Sequence, residues 1–249
     1  MTLSFDNDLT NMVAIYGPPG VGKTTVAAKL VPNKAILVAG DPGWISLKNL
    51  PYLADKIEPR KFEDFETLRT AIKDAMASNG EKAVILDGFS SMVNAMMYFY
   101  MMEKLPNGRE NKHYFVPKKS PREHPDIPSW DDYHLTKRMW DRVLHGFAQS
   151  EVNVIVTLHH NLPSVQSSTE KMYGDTTRPD LPKEVLTLLL KNTSVLGYME
   201  RSSSGERTIK VQPSRRLTAK TWIKFPADEV SDTVFVDTIM NYRKGINNG

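Results

Sequence analysis

The stretch that most limits what this chain can become runs from Met12 to Leu30. Met12 to Tyr16 is a short apolar run. Gly17-Pro18-Pro19-Gly20-Val21-Gly22-Lys23-Thr24 follows it, and Lys23 to Leu30 then carries helical spacing. The octapeptide fits G-x-x-x-x-G-K-[ST] and lies between a predicted strand and a predicted helix, the context such a loop needs. Glycines let successive backbone amides approach phosphate oxygens unobstructed. A helix beginning near Lys23 points the positive end of its dipole at the same anion. Gly17, Pro18, Pro19, Gly20, Val21, Gly22, Lys23, Thr24 and Thr25 are therefore the expected nucleotide cradle. Lys23 is expected to reach the β- and γ-phosphates, Thr24 to offer a hydroxyl to Mg²⁺, and Thr25 to touch the α-phosphate. ATP and Mg²⁺ are the cofactors this implies.

Further apolar runs extend that unit into a sheet. Lys34 to Ala39 is a second strand, stopped by Gly40-Asp41-Pro42-Gly43. Glu63 to Ser78 has Phe65, Leu68, Ile72, Ala75 and Met76 at helical spacing, with Asn79-Gly80 as its stop. Ala83 to Leu86 reads as a strand buried on both faces and closed by Asp87, and Val152 to Leu158 repeats the pattern after a helix over Tyr133 to Gln149. Strands alternating with helices predict an α/β fold, a doubly wound and mainly parallel sheet flanked by helices. After Gly205, Arg207 to Val211 and Thr221 to Phe225 read as hairpin strands extending the sheet edge. Met92, Met96, Met97, Met101 and Met102, with Tyr98, Phe99 and Tyr100, make a helix apolar nearly all round, which suits a core helix first and an oligomer face second.

Length and composition are compatible with this, though composition alone names no function. At 249 residues the chain suits one domain, with an insertion at about 103–129 and a polar loop at about 162–181. A net charge of +3 is too small for a dedicated DNA-coating protein, so any basic surface must be local. The chain has no cysteine, which removes disulfides, thiolate metal sites and cysteine nucleophiles. Met1 to Asn11 carries acids and no apolar run, and no stretch reaches the length of a membrane span, so a cytoplasmic protein without a membrane partner is expected.

Three strand ends supply candidate catalytic groups. Asp87, at the carboxyl end of a buried strand, fits the carboxylate that orients a magnesium shell beside such a cradle; the competing reading is a turn-forming Asp before Gly88. Asp41 ends the neighbouring strand, where it can polarise a water for attack on the γ-phosphate or simply shape the turn before Pro42. His159 and His160 close the strand that begins at Val152. Adjacent side chains on a strand point to opposite faces and no carboxylate lies at a ligand-like spacing, which argues against a shared metal.

The segments Gly17 to Thr25, Gly40 to Trp44, Ala83 to Ser91, Trp130 to Tyr133, Asn153 to His159 and Arg178 to Pro182 together resemble the compact RecA-like ATPases encoded by tailed phages, some of which serve single-strand annealing and recombination. The resemblance covers about Met12 to Lys224, though only the cradle is specific by itself. It implies a RecA-type core, use of ATP and Mg²⁺, contact with single-stranded DNA, assembly into homo-oligomeric rings or filaments, and a setting among single-strand DNA-binding or recombination proteins in the host cytoplasm. It also implies that His159 senses the γ-phosphate, with His160 a weaker second, the alternative being a histidine that merely caps a strand end. It implies too that Arg215, Arg216 and Lys220 act on a neighbouring subunit's nucleotide, the alternative being an exposed basic turn. Many relatives carry glutamate where this chain has Asp41. AAA+ ATPases place a glutamate directly after the strand-end aspartate, whereas Gly88-Phe89-Ser90-Ser91 follows here, so the hydrolytic carboxylate must come from elsewhere.

Two segments are candidates for DNA. The insertion interleaves Lys104, Arg109, Lys112, Lys118, Lys119 and Arg122 with Tyr114 and Phe115, the cations for phosphates and the rings for bases that single strands require. The polar loop adds Lys171 and Arg178. A solvated surface insertion is the plain alternative. Three function classes follow: a DNA-stimulated ATPase, which the residues favour; a P-loop kinase, disfavoured by the distant Asp87 strand and the missing Arg-rich lid; and a nucleotide-dependent regulator or loader with little turnover.

Overall fold

The computed structural model describes residues 11–79, 81–104, 108, 110–119, 121–161 and 176–245. Among them the strands are β1 (Met12–Gly17), β2 (Lys34–Ala39), β3 (Ile57–Lys61), β4 (Lys82–Asp87), β5 (Val154–Asn161), β6 (Arg178–Pro179), β7 (Val195–Arg201), β8 (Arg207–Lys210), β9 (Lys220–Thr221) and β10 (Glu229–Ser231). The helices are α1 (Lys23–Lys29), α2 (Pro51–Ala54), α3 (Phe65–Met76), α4 (Phe89–Met101), α5 (Trp130–Gln149), α6 (Lys183–Asn192) and α7 (Asp232–Arg243), with a 3₁₀ segment over Pro42–Asn49.

The sheet runs β10-β8-β7-β1-β5-β4-β2-β3. Neighbours from β7 to β3 pair parallel, and β8 and β10 add antiparallel strands at one edge. This is the expected doubly wound, mainly parallel fold. Strand β5 lies between β1 and β4, so the tips of three strands meet around one cleft.

Alternation along each central strand divides the core. Met12, Ala14 and Tyr16 face the layer of α3 to α6, while Val13 and Ile15 face α1 and α7. Each fully buried Met, Val or Ile side chain among them contributes about 1.5–3 kcal/mol. A one-residue slip of β1 would exchange its two faces, which fixes where Gly17 and the following loop emerge. Helix α4 is core, as its composition suggests: Met92, Met96, Met97 and Met101 are buried, and Met102 just beyond it is exposed.

Two features of the edges differ from expectation. Arg207–Lys210 does extend the edge, but its partners are β7 and β10, while Lys220–Thr221 pairs with the start of β7, so these two are not each other's hairpin partners. Strand β3 has the sequence IEPRK, whose charges and proline suit an edge and conceal it from an apolar-run search. Among the described residues, no helix is long and apolar enough to cross a membrane.

Candidate functional site

The expected cradle turns from β1 into α1. Val21 and Lys23 are buried, and Pro19 and Gly20 are exposed. Lys23 folds back so that its Nζ donates to the carbonyls of Gly17 at 2.9 Å and Pro18 at 2.7 Å. Burial pushes its ammonium below the usual lysine value, against the pull of the Asp87 and Asp41 carboxylates. Neutral carbonyls are weak partners for such a charge, so an incoming phosphate can replace them.

Asp87, at the end of β4, is 2% exposed. Its Oδ1 accepts from Thr24 Oγ1 at 2.9 Å and from Thr157 Oγ1 at 2.6 Å, while its Oδ2 is buried without a partner. Burial pushes this carboxyl up and the two hydroxyls pull it down. The Thr157 hydroxyl also accepts from the Gly88 amide at 3.0 Å, which ties β5 to the β4 turn. A buried orphan oxygen costs free energy unless something completes it. Hard oxygen donors beside a cradle for phosphates are the set that suits Mg²⁺, and the orphaned Oδ2 next to Thr24 fits that ion. Thr24 and Asp87 are the residues that would hold it.

Asp41 caps the 3₁₀ segment, its Oδ1 accepting from the Gly43 amide at 2.8 Å. Its Oδ2 lies 3.1 Å from His159 Nε2. The His159 hydrogen bond, opposed by partial burial and helped by the Gly43 amide, holds the Asp41 carboxyl below the usual range. Gly88 makes this contact possible. It sits at φ 77°, and a Cβ there would run into the Asp41 carboxylate. The His159 backbone amide donates to Ser90 Oγ at 3.2 Å. His160 turns the other way, towards Tyr198, and burial lowers its pKa. A cleft of about 440 Å³ joins these groups, lined by Lys23, Thr24, Thr25, Asp41, Asp87 and His159.

Two residues on that wall were not foreseen. Thr157 is the one hydroxyl in the buried part of β5, and a polar residue inside V-I-V-T-L is a readable signal. Arg207 reaches the cleft from β8, and nothing local in the sequence marks it.

The candidate DNA residues divide. Lys112, Lys118, Lys119 and Arg178 are exposed, and Tyr114 is 38% exposed. Arg122 is not free for DNA, because its Nε and Nη2 donate to the two carboxylate oxygens of Asp132 at 2.9 and 2.6 Å and Nη2 also donates to the Phe115 carbonyl. Asp132 in turn completes the capping box with Ser129 that starts α5. Phe115 is half-buried against the core and donates its amide to the Tyr100 carbonyl, so it is no open stacking platform. The six cations read from the insertion are also offset by Glu103, Glu110, Glu123 and Asp126. Lys171 lies outside the described residues, as does most of the polar loop.

Of the three basic residues expected to act on a neighbour, Arg215 and Arg216 are exposed on a turn. Lys220 is committed elsewhere. Its Nζ donates to the Leu190 and Thr193 carbonyls at the end of α6 and stands 3.6 Å over the Trp222 ring. In this position it serves its own chain's helix end.

Comparison with curated proteins returned no match. Among solved structures, the chain is similar to a KaiC-like protein from the hyperthermophilic archaeon Pyrococcus horikoshii OT3, at 12% identity over 89% of this chain and 88% of that one, with a TM-score of 0.47. The family model described as "AAA domain" matches residues 9–222. That span takes in the cradle, the strand-end carboxylates and the whole insertion, and the chain belongs to the AAA domain family.

Proposed function

We propose that this AAA domain chain binds ATP with Mg²⁺, hydrolyses it, and acts on single-stranded DNA in recombination, annealing or replication. The observation that carries the ATPase reading is the buried, unpartnered Oδ2 of Asp87, set beside the Thr24 hydroxyl at the mouth of the glycine loop. Bound there, Mg²⁺ would screen the charge of the β- and γ-phosphates. Lys23 exchanges the Gly17 and Pro18 carbonyls for phosphate oxygens. Thr157 keeps Asp87 oriented through Oδ1. Asp41, ionised and aimed by the Gly43 amide and His159, accepts the proton of the attacking water. His159, touching Asp41 across the β4 tip from the end of β5, is placed to transmit the state of the γ-phosphate.

The DNA reading rests on the exposed Lys112, Tyr114, Lys118 and Lys119 of the insertion and, separately, on the exposed Arg178 beside the end of β5, residue types suited to sugar-phosphate and base contacts. Arg215 and Arg216 are the groups we assign to a neighbouring copy's nucleotide in a ring or filament. One observation favours a second reading, a nucleotide-dependent regulator with little turnover: both oxygens of Asp41 are already engaged. Phosphate release measured with and without single-stranded DNA, and with EDTA, separates the two. DNA-stimulated, EDTA-sensitive release supports the first; tight ATP binding without release supports the second.

A further inference from the structure

The nucleotide cleft has two flanks, and the strand order defines them. Thr157, Asp87 and Asp41 come from β5, β4 and β2, all on one side of the cradle strand β1. Arg207 begins β8, two strands away on the other side, with β7 between. It nevertheless lines the same cleft. Its guanidinium lies against the loop so closely that a Cβ on Gly22 would stand 2.9 Å from Arg207 Cζ. Gly22, at φ 107°, therefore admits both the left-handed turn and the overlying guanidinium.

Arg207 is anchored from behind. Its Nη1 lies 3.8 Å from Asp232 Oδ2, at the first turn of α7, and Lys29 Nζ reaches the same oxygen at 3.3 Å. The plain reading makes Arg207 a cation at the start of β8 that merely neutralises Asp232. Asp232 already has a closer cation in Lys29, and among the described residues the Arg207 guanidinium makes no hydrogen bond, so its fork of N–H donors is unspent. A forked donor set held over a phosphate-binding loop is matched to a phosphate oxygen pair.

We propose that Arg207 is a nucleotide-binding residue of this chain's own cleft, gripping the α/β end of the phosphate chain, and that Asp232 is its positioning residue. The inference rests on the ATP-binding reading above. The γ end is fixed on the opposite flank, where Thr24, Asp87 and Asp41 gather, which leaves the α/β end for a group arriving over Gly22. Asp232 lies beyond the residues matched by the family model, so a segment outside that match would tune the grip on nucleotide.

The test is competition of unlabelled ATP and ADP against a fluorescent nucleotide on the full chain carrying Arg207→Ala, Arg207→Lys, Asp232→Asn or the Arg207→Ala/Asp232→Asn pair. Arg207→Ala should weaken ATP and ADP by the same factor, about tenfold, because both share the α- and β-phosphates. Arg207→Lys should recover part of that loss. Asp232→Asn should weaken both nucleotides by about two- to threefold in the Arg207 background and have no further effect on top of Arg207→Ala, the signature of action through that residue. Unchanged affinity for both nucleotides in Arg207→Ala would overturn the inference. So would a loss confined to ATP, which would put the guanidinium at the γ end, or a loss matched by a drop in the nucleotide-free unfolding midpoint of Arg207→Lys. Failure of the wild-type chain to bind either nucleotide, by contrast, sinks the ATP-binding reading itself and this inference with it.

Discussion

Lys23 and Arg122 are both largely buried cations in segments that the sequence marks as basic or phosphate-binding, and the structure treats them in opposite ways. Lys23 hangs on two neutral carbonyls of its own loop, with the Asp87 and Asp41 carboxylates near enough to be felt but not touching it. Arg122 is closed into a two-pronged pair with Asp132, whose side chain is 1% exposed, and caps its donors further with the Phe115 carbonyl. The cleft thus keeps spare bonding capacity, in Lys23 and in Asp87 Oδ2, whereas the base of the insertion spends its capacity internally. A residue type in a suggestive place is a weak sign of function; a buried polar group left incompletely satisfied is a stronger one.

The contrast breaks first at Lys23. Lys23→Ala should lower the rate of phosphate release by on the order of 10²- to 10³-fold while leaving the unfolding midpoint close to wild type, because the removed partners are neutral carbonyls that water can satisfy. Wild-type turnover in that variant would remove the cleft from the chemistry. Next is Asp41→Asn, which keeps the shape and the Gly43 contact but loses the base. Turnover should fall by about 10²-fold with ATP affinity held within a few-fold. Equal loss of binding and turnover would instead make Asp41 a structural cap of the Pro42–Asn49 segment.

Much of the cleft was legible because its residues are local in sequence or end apolar runs. The loop from Gly17 to Thr25 carries its own spacing, and Asp41 and Asp87 stand where β2 and β4 run out. Their meeting was not legible, since it requires β2 and β4 to pair in register, Ala39 opposite Asp87, and Gly40 and Gly88 to let the tips touch. Arg207 was invisible for the same reason. Its place over Gly22 depends on β7, the hairpin partner of β8, pairing in parallel with β1, a contact between segments far apart in the chain. Arg122 misled because a cation in a polar stretch looks identical whether it faces solvent or Asp132, and only the helix cap that Asp132 builds decides. Helix α7 was not foreseen, although Ser231 caps it locally by accepting from the Val234 amide and Phe235 and Ile239 follow at helical spacing.

Arg122→Ala and Asp132→Asn sharpen the other half of the contrast. Either change leaves a buried partner alone, so each should cost about 3 kcal/mol of stability near neutral pH, read from denaturant midpoints. Burial alone would raise the Asp132 carboxyl, but Arg122 and Ser129 hold it below its usual 3.8. A carboxylate depressed in the folded state contributes stability above its unfolded value and loses it as pH falls through the folded one. The gap between wild type and Asp132→Asn should therefore be full at neutral pH and shrink only below about pH 4. A gap that stays constant down to acid unfolding would show that the pair contributes packing rather than charge.

The smallest effect is expected where the cations are exposed. Lys112, Lys118 and Lys119 carry no side-chain ion pair among the described residues, and neutralising all three should leave stability and ATP binding unchanged. Single-stranded DNA affinity should fall about tenfold at moderate salt, and the slope of log affinity against log salt should flatten by about 2, at roughly 0.7 for each phosphate no longer neutralised. The loss should be the same on oligonucleotides of different sequence and equal length, because phosphate contacts carry no sequence information. Tyr114→Ala should behave differently, costing roughly 1–3 kcal/mol per stacked base with the salt slope intact. If the triple variant binds DNA as wild type does across the salt series, the insertion is no DNA surface at all. The contrast would then extend to its exposed face, and Arg178, on the strand beside the His159 tip, would become the next group to neutralise.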